Sequence, residues 1–195
     1  MKNFYTTILS LFITGLCFSQ TAGLFFSEYA EGSSNNKYLE IYNGTGTSID
    51  LSLFSISSCS NGCNTFNEFD YANNITFAPG TMLNDGAVYI IAHPSADSSI
   101  LAVANQTFQY LSNGDDAFAL TLAGATAASY TIVDIIGDLQ GDPGSGWDVA
   151  GIANGTKDHT LIRKASVCQG NPVELGSFGT DSLNSEWMVM PQNDW

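Results

Sequence analysis

Basic residues are scarce in this 195-residue chain: five Lys and Arg stand against nineteen Asp and Glu, a formal net charge of −14. A surface so short of cations repels phosphate backbones, because nucleic-acid binding rests on Lys and Arg neutralising phosphates, so direct binding of DNA or RNA is not expected. The carboxylate excess reads either as attraction for cations and basic partners or as plain solubility in a salty medium, and the second is the simpler reading. Histidine occurs twice, at His93 and His159, and neither belongs to a Ser-His-Asp or Cys-His motif with a nucleophile elbow or oxyanion loop. Catalysis by this chain alone is therefore not expected. No internal repeat recurs at a fixed period, and no Pro- or Ser-rich linker or charge block divides the chain.

Long apolar runs are missing too. The stretch Ile8 to Phe18 falls short of the ~20 residues that a membrane-crossing helix needs. With Lys2 before it and Ser19-Gln20 after it, it reads as a secretory signal peptide over residues 1–20. Cys17 follows Leu16, where a lipoprotein signal generally has a small residue, which argues against a lipid anchor. The expected product is residues 21–195, secreted or at the cell surface, with no transmembrane segment. Its length suits one domain with a sizeable core. Loss of Lys2 moves the balance from −14 to −15.

Of four cysteines, Cys17 leaves with the signal. Cys59 and Cys63 flank Ser60-Asn61-Gly62, a tight-turn sequence, and in an oxidising compartment are expected to form a disulfide. A loop that short pins a local turn and adds little global stability. Cys168 is left without a partner. The sharper alternative is zinc held by these cysteines with His93 or His159, but the usual two close-spaced pairs are reduced here to one.

What is present is a series of short apolar segments bounded by turns. Leu24 to Tyr29 is a first strand. In Tyr38 to Tyr42 the period of two sets Leu39 and Ile41 on one face and Tyr38, Glu40 and Tyr42 on the other. Ile49 to Ile56 alternates again after the Asn43-Gly44-Thr45-Gly46 turn, and Ala87 to Ala92, after Ala78-Pro79-Gly80, is apolar enough for a central strand. Ser95 to Val103 is the one helical segment, with Ser95 as N-cap. Further strands are expected at Phe118 to Leu122, Thr131 to Ile136, His159 to Lys164 and Glu186 to Met190. Strands, turns and one short connecting helix predict an all-β sandwich.

The order and spacing of LEIYNGTGTSIDLS (Leu39 to Ser52), the Pro79-Gly80 turn before VYIIA, NGDDAFAL (Asn113 to Leu120), VDIIG (Val133 to Gly137), HTLIRK (His159 to Lys164) and SEWMV (Ser185 to Val189) resemble the bacterial lamin-tail domain. The likeness runs from about Leu24 to the C-terminus. It implies an immunoglobulin-like β-sandwich, no shared reaction, and an accessory role, since bacterial versions accompany extracellular nucleases, phosphatases and other hydrolases or proteins with surface-sorting tails. The chain stops at Trp195, short of the closing strand and sorting tail such domains carry, which suggests the N-terminal part of a longer protein. A second departure is the loop from Cys59 to Asn74, longer than the family minimum, where strand pairing cannot be read.

Few residues suggest chemistry. Asp138, Asp142 and Asp148 lie in the Gly-rich DLQGDPGSGWD and offer oxygen ligands to calcium, and no other cofactor is expected. Their spacing matches no known calcium loop, and Asp, Gly and Pro also serve turn geometry. Asp115 and Asp116 open a strand and read as a turn. Asp134 sits in an otherwise apolar strand, so it must be paired or face solvent, and Arg163 is its expected partner in a structural ion pair. A catalytic role would need a second titratable group, with a pocket gathering Asp134, His159 and Asp148 as the form to look for. Asn43, Asn74, Asn105 and Asn154 head Asn-x-Thr sequons and are read as turn residues. Tyr38, Tyr42, Phe69, Tyr71, Trp147 and Trp187 form a sugar-stacking platform if exposed on one face and ordinary core if buried between sheets. The resulting expectation is a non-catalytic interaction or positioning module, with a protein or a surface glycan as its partner. The competing reading is a calcium-dependent or aromatic carbohydrate-binding module for adhesion.

Overall fold

The computed structural model describes residues 23–195. The proposed signal segment and Cys17 lie outside the described residues. Among the described residues there are twelve strands: β1 (Leu24–Glu31), β2 (Lys37–Asn43), β3 (Ile49–Asp50), β4 (Phe54–Cys59), β5 (Tyr71–Thr76), β6 (Met82–Leu83), β7 (Val88–Ala92), β8 (Gln106–Thr107), β9 (Ala117–Leu122), β10 (Ile132–Ile136), β11 (His159–Arg163) and β12 (Trp187–Pro191). They make a six-stranded sheet in the order β12-β11-β1-β2-β7-β8, a four-stranded sheet β10-β9-β4-β5, and the small pair β3-β6. Every pairing is antiparallel except β7 with β8. Together the two larger sheets form the immunoglobulin-like sandwich.

The period of two explains most of this arrangement. Leu39 and Ile41 of β2 point into the core with Ile91, Leu161 and Trp187, against Phe54, Ile56, Phe118, Leu120 and Ile135 of the other sheet. A bulge between Phe26 and Glu28 changes the phase of β1, so Leu24 and Phe26 face the core before it and Tyr29 after it. The outward face at Tyr38 is also covered: Tyr38, Ala30 and Ala92 pack with Ala96 and Ile100 in a second apolar cluster. The Tyr42 ring rests 5.5 Å from Phe25.

Two expected elements are shorter than their patterns suggested. The Ile49 to Ile56 run is broken by a 3₁₀ turn at Leu51–Leu53, because the Asp50 carboxylate accepts the Ser52 amide and the Leu51 amide donates to Thr81 O. The helix is only Ser98–Leu101 (α1), capped by Asp97 rather than Ser95. Ser95 N donates instead to His93 Nδ1, and beyond Leu101 the Asn105 amide donates to Ile90 O, which draws the chain back to the sheet as β8.

Candidate functional site

The loop from Cys59 to Asn74 builds one wall of a cleft at the end of the four-stranded sheet. Cys59 and Cys63 are disulfide-bonded with Cα atoms 4.8 Å apart. The turn between them docks on the Ser112 to Asp116 turn: Gly62 N donates to Asp115 O, and Asn61 N to Asp116 Oδ1 at 2.7 Å. Gly62 has φ +75, and a Cβ there would lie 2.1 Å from Gly141 O, so only glycine admits this third loop so closely. Asp70 holds the wall from the other side, accepting the amides of Ser60 (3.3 Å) and Asn64 (3.0 Å).

The cleft encloses about 430 Å³ and is lined by Ser58, Cys59, Ser60, Tyr71, Asn74, Tyr110, Asp116 and Phe118. β5 reaches it through a bulge: Ser58 pairs with Tyr71 and Ile56 with Ile75, so Ser57 alone faces three residues. Asn73, at φ +52, fills that bulge. Its side chain accepts from Ser55 Oγ and Gly124 N and donates to Ala125 O, and its amide donates to Ser57 Oγ. Asn74 is thereby turned so that its Nδ2 donates to Ser58 Oγ at 2.7 Å. Burial pushes the Asp116 carboxyl up, opposed by the Asn61 amide and the Ser60 hydroxyl. Asp115 is raised for the same reason, with Asp116 adding repulsion.

At the opposite edge of that sheet Asp134 is fully buried. Arg163 Nη1 and Nη2 donate to its two oxygens at 3.3 and 3.2 Å, and the amides of Phe26 and Asn171 donate at 2.8 Å each. Arg163 Nη2 also reaches Glu186 Oε2 at 2.7 Å, while the guanidinium lies over the Trp187 ring at 4.5 Å. The Phe26 bond lies where β1 runs beyond its pairing with β11, which begins at Glu28. Asp134 thus supplies the acceptor that a strand no longer provides, and it joins β10 of one sheet to β1 and β11 of the other. Burial pushes its carboxyl up against the pull of Arg163 and the two amides.

A family model described as Lamin Tail Domain matches residues 18–134. The chain belongs to the lamin tail domain family. No curated protein and no solved structure matches it. The family is one of non-catalytic, immunoglobulin-like interaction domains. In this lamin-tail chain the matched stretch ends at Asp134 itself, yet β11 and β12 beyond it complete the six-stranded sheet, with β11 lying between β12 and β1.

Other residues singled out in the sequence lie elsewhere. Asp138, Asp142 and Asp148 each turn back on their own loop, accepting the amides of Gln140, Gly144 and Asn154, the turn geometry that the sequence also offered. Among the described residues no group of three His, Cys, Asp or Glu side chains is placed to hold a metal ion. Cys168 is a free, exposed thiol. His159 Nδ1 faces Lys157 O, so His159, Asp134 and Asp148 each have separate local partners and do not assemble. The proposed aromatic platform is mostly core: Tyr38, Phe69, Trp147 and Trp187 are all buried. Trp147 fits because Gly137, at φ +90, leaves the space where a Cβ would meet the indole at 2.8 Å. Tyr71 alone of that set is largely exposed. Its companion Tyr110 escaped the sequence reading because a single aromatic in a non-periodic turn gives no signal beyond its own exposure. No helix of the described residues is long and apolar enough to cross a membrane.

Proposed function

We propose that this chain is a non-catalytic lamin-tail module of a secreted bacterial protein, which positions that protein through contacts made at its loop end. The observation that carries this reading is the cleft between the Cys59–Cys63 turn and Tyr110, the place where exposed aromatic and polar groups face a concavity. The buried carboxylate Asp134 supports it, since its four hydrogen bonds go to β1, to β11 and to the Asn171 amide of the loop that follows, a structural use. The signal-like residues 1–20 support export, and residues 21–195 form the exported module. An attached extracellular hydrolase, such as a nuclease or phosphatase, would carry any chemistry. Purified residues 21–195 are expected to turn over neither plasmid DNA nor p-nitrophenyl phosphate. Turnover of either that survives repurification would overturn the non-catalytic reading. N-terminal sequencing of the exported product should begin at Thr21, and retention of residues 1–20 would overturn the export reading.

A further inference from the structure

The cleft at the loop end has a chemistry of its own. Its volume of about 430 Å³ lies within the range of roughly 300–1,000 Å³ typical of small-molecule sites. Tyr71 is 53% exposed and Tyr110 72% exposed, although both carry large apolar rings. Neither dangles: Tyr71 is paired in register with Ser58 at the head of β5, and Tyr110 meets the Phe108 ring edge-on at 5.9 Å. Two large rings facing one concavity are the kind of grouped exposed apolar surface that marks a ligand-binding groove. The groups among them are neutral or anionic: Ser58, Ser60, Asn74 and the Asp116 carboxylate, itself 7% exposed. Among the described residues no Lys, Arg or His lines the cleft, and Asp70 and Asp115 stand behind its walls. A phosphate, sulfate or uronate would meet the Asp116 carboxylate with no cation in the lining to offset it. A neutral ligand with a flat C–H face and a rim of hydroxyls suits both halves, because the rings take the apolar face and the carboxylate and amide take the O–H donors as strong hydrogen bonds.

We propose that this cleft is a binding site for neutral saccharides, with Tyr71 and Tyr110 stacked on the pyranose faces and Asp116 and Asn74 receiving sugar hydroxyls. The assignment rests on the interaction-module reading and names its ligand class. The site differs from the aromatic set read in the sequence: of those six rings Tyr71 alone belongs to it, and the bulge at Asn73 positions the polar side.

The test is native affinity electrophoresis of residues 21–195 in gels containing laminarin, xylan, galactomannan or pullulan, with cationic chitosan and anionic alginate as separate gels. At least one neutral polymer should retard the protein. Tyr71→Ala and Tyr110→Ala should each weaken that retardation roughly tenfold. Asp116→Asn should weaken it too, whereas Leu183→Ala, at an exposed position outside the cleft, should leave it unchanged. Both tyrosines are exposed, so these variants should melt with the parent, and Tyr71→Phe and Tyr110→Phe should keep binding because the ring remains. No retardation by any neutral polymer, retardation unchanged in both alanine variants, or retardation by chitosan or alginate alone would each overturn the proposal. Reducing ends are followed in the same samples. Their release would overturn the non-catalytic reading while leaving the ligand class standing, and their absence without retardation would do the reverse.

Discussion

Replacing Asp134 by Asn removes one negative charge from a site that excludes water, with little change in shape. The carboxylate accepts four hydrogen bonds, two from Arg163 and one each from the Phe26 and Asn171 amides. An amide in its place must turn its NH₂ toward either the Asn171 amide and Arg163 Nη2 or the Phe26 amide and Arg163 Nη1, which sets donors against donors. Arg163 would keep Glu186 as its one anionic partner. Breaking a buried pair on one side costs about 3–5 kcal/mol, because the remaining charge is stranded. For a domain of this length each kcal/mol moves Tm by roughly 2–4 °C, so a fall of about 6–20 °C is expected. Thermal unfolding followed by circular dichroism measures the fall, and urea unfolding the matching loss of free energy, with the slope expected to be unchanged. Removing both charges, as Asp134→Leu with Arg163→Met, should cost less than the sum of the single changes, since neither partner is then left unpaired. A Tm for Asp134→Asn within 2 °C of the parent would refute the reasoning.

Other expectations follow from the same geometry. Reducing the Cys59–Cys63 disulfide, which closes a loop across a separation of only 4, should cost no more than about 2 kcal/mol in the chain-entropy account, read as a small Tm shift with and without dithiothreitol. Glu40 is pushed up by burial and by Glu28, and Asp115 and Asp116 are pushed up by burial. The folded state therefore holds these protons more tightly than the unfolded chain does, and stability falls as pH rises through their raised values. His93, lowered by burial and by Lys37, works the other way over the same range, so the comparison is made in His93→Gln: its calorimetric Tm should be higher at about pH 5 than at about pH 7.5, and a Tm that falls on this acidification would contradict the reading. Below about pH 4 the trend should reverse, because Asp50 is lowered by the hydroxyl and amide of Ser52, Asp97 by the amide and hydroxyl of Ser99, and Asp181 by the Asn184 and Leu183 amides, and their contribution is lost as they protonate. A chain ended at residue 158 lacks β11 and β12, so β1 loses a neighbour and Asp134 its cation. Such a chain should show no cooperative urea transition, and a sharp one would contradict the role given to the segment beyond the family match.

The strands were legible because burial on one face writes a period of two: Leu39 and Ile41, or Val133 and Ile135, could not be arranged otherwise without exposing them. Asp134 and Arg163 were legible as a pair for a related reason, since a lone charge in an apolar strand demands a partner. The helix was overextended because Ser95 resembles a cap in one dimension, whereas in the fold its amide is taken by His93 and the cap passes to Asp97. The acidic loop stayed open between a turn and a cation site, because spacing along DLQGDPGSGWD does not say which carboxylates meet; in the fold each accepts an amide of its own loop. Phe69 and Trp147 were undecidable as loop residues, and only the folded chain places them under the sheets as core. The cleft was illegible because it joins Ser58, Tyr71 and Tyr110 through a bulge and two turns, features with no periodic signature.

The most direct measurement of the binding role is an amide NMR titration of residues 21–195 with oligosaccharides cut from whichever neutral polymer retards the protein. Shift changes gathered at Ser58 to Ser60, Tyr71 to Asn74 and Tyr110 to Phe118 are predicted. Changes confined to the outer face of the six-stranded sheet, or none at saturating sugar, would contradict the account.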